Sequence, residues 1–260
     1  MIDIIRLKYD KGTIFIIYTT VRILLQVTML RGILPYYILQ YIIDNDLQMG
    51  EGEEIKLPPM DELAAEMGIS RGKLREEMVV AQAYGAVEMR PGDGTYVRPF
   101  DFYTAIRTLV LYGTAYDWKN FDHLYRLRVQ LEITFWQEAV QNLTQEDKEE
   151  LARIVDQAEH KLSGSPAEIP HKGHRDFHLL IFGRLDNKFV QGLLKAYWDA
   201  YEAVGLHRYF DLNYYQKMWS SHRAITEAII ADQYQKGQEI LVQHFTLLEN
   251  RLSGGINGQQ

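Results

Sequence analysis

The segment HKGHRDFHLL places His171, His174, Asp176 and His178 within eight positions, in a chain holding only 8 histidines. Side chains four apart on a helix share a face. His174 and His178 meet that spacing, so together they supply half of a tetrahedral or octahedral metal site. Asp176 is two residues from each and points away from the pair, which suits a salt bridge or solvent. Two more histidines fall in helical segments further on, His222 in SSHRAITEAI and His244 in ILVQHFTLLE. A helical bundle can bring side chains from three helices to one interior point. One helical histidine is more often a surface or hydrogen-bonded residue, so only the combination of four points to a metal. The H-x-x-x-H spacing also occurs in zinc metalloproteases, which need a Glu directly after the first His as general base. Here that residue is Arg175, and the chain is read as not an enzyme.

The elements that must hold these residues come from periodicity and punctuation. Residues 33–48 read as a helix from Leu34, Ile38, Leu39, Ile42 and Ile43. EGEEIKLPP breaks it. DELAAEMG is a short helix closed by Gly68, and SRGKLREEMVVAQAYG is a helix with Ser70 as N-cap and Gly85 as stop. AVEMR and TYVRP, joined through PGDG, are two short strands of a hairpin. Residues 101–253 read as almost wholly helical: FDHLYRLRVQLEITFWQEAVQNL, LTQEDKEELARIVDQAEHKL with its Thr-x-x-Asp start, HRDFHLLIFGRL, NKFVQGLLKAYWDAYEAVGL, NYYQKMWSSHRAITEAIIAD and KGQEILVQHFTLLENRL. The expected fold is mainly α: an N-terminal winged helix-turn-helix over 30–100, then an all-helical bundle of six or seven helices over 101–255.

Composition limits the function classes. With 47% hydrophobic and 24% charged residues, the 260-residue chain can bury a core. It has no cysteine, which excludes disulfides and thiolate metal sites and suits a cytoplasmic protein. A formal net charge of -7 disfavours nucleic acid as a general partner, so DNA binding must rest on a local basic surface. Residues 1–29 are apolar but interrupted by Arg22, too short a run to span a membrane and lacking a cleavage site. Two readings of this extension stay open: an additional β-branched element, or a start assigned upstream of Met29.

The stretch LPPMDELAAEMGISRGKLREEMVVAQAYGAVEMRPGDGTYV resembles the winged helix-turn-helix of the GntR regulator family. Such a motif puts the N-terminal end of its second helix into the major groove. That end carries Ser70, Arg71, Gly72, Lys73 and Arg75, and arginine can bridge guanine edges or clamp phosphates. Gly72 allows close approach, and the wing Gly92-Asp93-Gly94-Thr95 offers Gly94 and Thr95 to the minor groove. Where the family usually has a basic residue before the Glu-Leu of the first motif helix, this chain has Asp61.

The helical region resembles the FCD ligand-binding domain of the FadR branch of that family, which carries an Asp-x-x-x-His pair followed by two further histidines. His178, His222 and His244 fall on the His positions, and His174 falls on the Asp position. The resemblance implies a divalent metal held by His174, His178, His222 and His244. Exchanging a carboxylate for an imidazole favours zinc or nickel over manganese or magnesium. It also implies that Arg128, four residues before Glu132, reaches a small carboxylate effector. The residues alone leave open an intrahelical Arg128–Glu132 pair. Tyr197, Trp198, Tyr201, Tyr209, Phe210, Tyr214, Tyr215 and Trp219 are expected mostly in the core. The expected function is therefore a homodimeric, effector-responsive transcription regulator that binds operator DNA and has no membrane partner. The alternatives are an acyl-CoA-responsive regulator without metal and a metal-dependent enzyme.

Overall fold

The computed structural model describes residues 34–47, 54–205 and 211–255. The extension 1–29 and the aromatics Tyr209 and Phe210 lie outside the described residues. The chain divides into two compact units between Phe100 and Asp101.

The first unit contains α1 (Tyr37–Asp44), α2 (Met60–Met67), α3 (Arg71–Ala83), β1 (Val87–Arg90) and β2 (Gly94–Val97). α1 is shorter than the 33–48 read from periodicity. Tyr36 is extended at its start, and Asp46 takes a left-handed φ of 50° at its end, so helical backbone cannot continue. Gly68 closes α2 in the left-handed region at φ 64°. Ser70 then caps α3 by accepting a hydrogen bond from the Lys73 amide at 3.2 Å. The two strands pair antiparallel, with Val87 opposite Val97 and Arg90 opposite Gly94. Ile38, Leu57, Leu63, Leu74, Met78, Val87 and Val97 form the core. Glu77 is buried beside it and accepts a hydrogen bond from the Ile38 amide at 3.0 Å, which fixes α1 on α3.

The second unit is helical: α4 (Phe102–Tyr116), α5 (Lys119–Thr134), α6 (Trp136–Gln141), α7 (Gln145–Ser163), α8 (His171–Phe182), α9 (Lys188–Val204), α10 (Leu212–Ile230) and α11 (Tyr234–Gly255). That is eight helices among the described residues, where periodicity suggests six or seven. The run FDHLYRLRVQLEITFWQEAVQNL is not one helix. It breaks at Phe135, whose φ and ψ of -93° and 5° depart from helical values. Thr144 and Asp147 form a reciprocal capping box that starts α7. The core is strongly aromatic, with Trp136, Trp198, Trp219, Tyr125, Tyr197, Phe121, Phe177 and Phe182 fully buried. One carboxylate ties three helices. Asp199 of α9 accepts from Tyr103 Oη and Arg107 Nε of α4, both at 2.5 Å, and from Arg175 Nη1 of α8 at 2.7 Å. Arg175 adjoins His174, so this tie fixes the rotation of α8 that turns its histidines inward.

Candidate metal centre and DNA-reading face

α8 brings two of the four histidines. His174 and His178 stand one turn apart on its buried face, with ring centroids separated by 5.2 Å. Asp176 lies on another face, 3.7 Å from Lys172. α10 supplies His222, whose ring is 5.1 Å from His174, and α11 supplies His244, 4.5 Å from His222 and 5.6 Å from His178. Gly173 of α8 leaves room for the Trp219 ring of α10, which a Cβ there would meet at 3.2 Å. The spacing on α8 is legible in the sequence. The convergence of α10 and α11 on it is a product of packing.

One donor nitrogen from each of the four imidazoles lies within 4.8 Å of the others. All four side chains are buried. Nε2 of His174, Nε2 of His178, both ring nitrogens of His222 and Nδ1 of His244 have no hydrogen-bond partner. Buried polar atoms are normally paired, and a cluster of unpaired lone pairs converging from three helices is the donor set a metal ion would satisfy. Burial holds all four imidazoles well below their ordinary pKa. They are therefore neutral, as metal ligation requires. Two nitrogens on one ion stand at most about 4.2 Å apart, twice a bond of about 2.1 Å, so small side-chain movements close the set around an ion.

Behind His178 stands a residue whose part in the site is not visible from spacing alone. Glu132 Oε2 lies 2.8 Å from His178 Nδ1, which assigns the proton to Nδ1 and leaves the Nε2 lone pair for a metal. The other carboxylate oxygen accepts from Arg128 Nε at 2.6 Å. Arg128 and Glu132 are thus an intrahelical pair, both buried. Burial pushes the Glu132 carboxyl up, and the Arg128 charge opposes that rise. Burial likewise works against the Arg128 charge, but Glu132 outweighs it and the guanidinium pKa rises. The guanidinium lies 4.8 Å from the ring centroids of Tyr197 and Trp198. Its Nη1 reaches Tyr197 Oη at 3.4 Å, and its Nη2 has no partner. The four-residue spacing reveals the Arg128–Glu132 pair; its connection to a histidine 46 positions away has no sequence signal.

In the first unit, Arg71, Gly72, Lys73 and Arg75 all lie exposed in the first turns of α3, with Ser70 at its cap. Arg71 faces Asp61 of α2 at 3.3 Å, and Lys73 Nζ is 3.5 Å from Glu77. Gly94 and Thr95 are the first residues of β2 rather than part of the turn. At the wing, Arg90 is held bidentate by Glu54 and lies 4.1 Å over the Tyr96 ring. Asp93 accepts from Lys56 at 3.2 Å and from Tyr96 at 3.0 Å. The wing is thus braced by its own charges.

Residues 36–97 match the family described as bacterial regulatory proteins, gntR family, and residues 123–247 match the FCD domain. The chain belongs to the GntR family and carries an FCD domain. Among relatives of this GntR-family chain, the Uxu operon transcriptional regulator of Escherichia coli (strain K12) is 26% identical over 202 residues, covering 76% of this chain and 78% of that protein. The HTH-type transcriptional regulator LutR of Bacillus subtilis (strain 168) is 26% identical over 221 residues, covering 82% and 96%. The Streptococcus agalactiae GntR structure superimposes with a TM-score of 0.58 at 19% identity, covering 82% of this chain and 95% of that one, which shows a shared fold. The two families are transcriptional regulators rather than enzymes, and this GntR-family chain is a transcriptional regulator. Among the described residues, no helix is long and apolar enough to cross a membrane.

Proposed function

We propose that this regulator binds operator DNA as a homodimer and that a small carboxylate, bound at a divalent metal in the FCD domain, sets its operator affinity. The observation that carries the metal reading is the buried set of unpartnered nitrogens on His174, His178, His222 and His244. Neutral imidazoles favour zinc or nickel over harder ions. Held by these four imidazoles, the ion would supply Lewis-acid coordination for a carboxylate oxygen. The protein's own part is to fix the donors: Glu132 orients His178, and Arg128 offers its unpartnered Nη2 to the acid. On the DNA side, Ser70, Arg71, Gly72, Lys73 and Arg75 form the reading end of α3, with Gly94 and Thr95 on the wing. A dimer would place two such ends on a two-fold operator. The effector acts by its difference in affinity between two arrangements of the dimer.

The test is metal content by mass spectrometry, wild type beside His178→Ala, purified above about pH 7 so that exposed imidazoles are neutral too. About one equivalent in the wild type, lost in the variant, supports the reading. No metal in either removes it and brings a metal-free effector such as an acyl-CoA forward.

A further inference from the structure

We propose that the effector of this chain is a short dicarboxylate rather than a monocarboxylate. The inference rests on the metal reading above and deepens it by naming the charge of the ligand.

The charge balance of the buried site leads to this. Arg128 and Glu132 pair at 2.6 Å and cancel. His174, His178, His222 and His244 contribute no charge once they ligate, so a divalent ion held by them leaves two positive charges uncompensated. Their side chains are buried, and no acid is among the four ligands. An unpaired buried charge is costly and draws a counter-ion. A site with a carboxylate at position 174 would leave one positive charge and be satisfied by a monocarboxylate. With His174, a single anion that neutralises the site must bring both.

A second, independent observation points to where the additional carboxylate would be received. Arg128 Nη2, Trp198 Nε1 and Trp219 Nε1 are buried donors without acceptors. They flank the imidazoles. The Trp198 ring is 4.7 Å from His174 and 4.8 Å from the Arg128 guanidinium. The Trp219 ring is 4.7 Å from His222. A single carboxylate that meets the metal and Arg128 Nη2 leaves the two indole N–H groups without an acceptor, and a second arm would supply one.

The experiment uses the full chain loaded with zinc, with zinc content measured before and after. Malonate and succinate are titrated calorimetrically against acetate and propionate at constant ionic strength, on the wild type and on His174→Asp. The expected result is dicarboxylate binding at least about tenfold tighter than monocarboxylate in the wild type, with that ratio falling several-fold in the variant, as one unit of site charge is removed. Equal affinity for both classes in the zinc-loaded wild type would overturn the proposal, because bound hydroxide would then be supplying the second charge. A ratio unchanged in a folded His174→Asp protein would also overturn it. If the variant does not fold, the wild-type comparison decides alone. Absence of zinc from the wild type would remove the metal reading itself, whereas zinc without charge discrimination would remove only the dicarboxylate.

Discussion

The Asp61 carboxylate lies 3.3 Å from the Arg71 guanidinium. An acid on α2 therefore contacts the first residue of α3. Both side chains are more than half exposed, so the pair adds at most about 1 kcal/mol to folding. Its consequence is for DNA: Asp61 repels phosphate and competes with it for Arg71. Asp61→Asn is expected to raise affinity for random-sequence duplex and to steepen the dependence of log K on log salt by about 0.9 for each further phosphate neutralised. Fluorescence anisotropy across a salt series measures this. An unchanged slope would show that neither residue meets the backbone.

Arg71→Ala should cost about 1–3 kcal/mol of discrimination for a duplex selected from a random library, if the guanidinium reads a base. A uniform loss on all duplexes would assign it to phosphate instead. Unaltered affinity on both would remove α3 as the recognition helix.

Glu132→Gln separates two roles. It leaves the buried Arg128 without its counter-charge, which should destabilise the fold by about 3–5 kcal/mol. It also weakens the hydrogen bond that orients His178, which should lower zinc affinity by roughly 10–100-fold. Adding Arg128→Met should recover most of the melting temperature but not the zinc affinity measured by chelator competition. Recovery of both would reduce Glu132 to a partner of Arg128.

Metal-stripped protein should lose stability as pH falls below about 6.5. The folded state keeps His174, His178, His222 and His244 neutral by burial, with pKa values depressed. The unfolded chain protonates them near the ordinary value of 6.5. Below that pH the unfolded state holds more protons, so acid favours it, by about 1.4 kcal/mol per pH unit for each histidine. Above it the four contribute no slope. Denaturant melts from pH 8 to 5 test this, and a flat profile would mean that the four imidazoles are accessible to protons in the folded state.

Gly192→Ala should lower the melting temperature. A Cβ there would meet the Tyr103 backbone nitrogen at 2.9 Å, where α9 packs on α4. Helix propensity favours the exchange by about 1 kcal/mol, but overpacking against main chain costs about 1–3 kcal/mol. A higher melting temperature would show that α4 can move away at no cost.

The sequence by itself determined what depends on neighbours along the chain. Gly68 and Ser70 mark the turn between α2 and α3, because a left-handed closure and a hydroxyl cap are properties of single residues. Thr144 and Asp147 mark the start of α7 for the same reason. The pairing of His174 with His178, and of Arg128 with Glu132, follows from helical period. Local signals were weaker where packing intervened: Phe135 divides a run with unbroken helical periodicity, and α1 stops at Asp44 although apolar spacing continues.

Only the tertiary structure decided which side chains share a charge. Glu132 and His178 are 46 positions apart, Asp61 and Arg71 lie on different helices, and Asp199 gathers Tyr103, Arg107 and Arg175 from two others. His222 and His244 meet the α8 pair through the packing of α10 and α11, with Gly173 leaving room for the Trp219 ring. Backbone propensity acts over a few residues. The hydrogen bonds and counter-charges of a buried polar group are set by whichever helices enclose it, and that enclosure is chosen by the packing of the whole aromatic core.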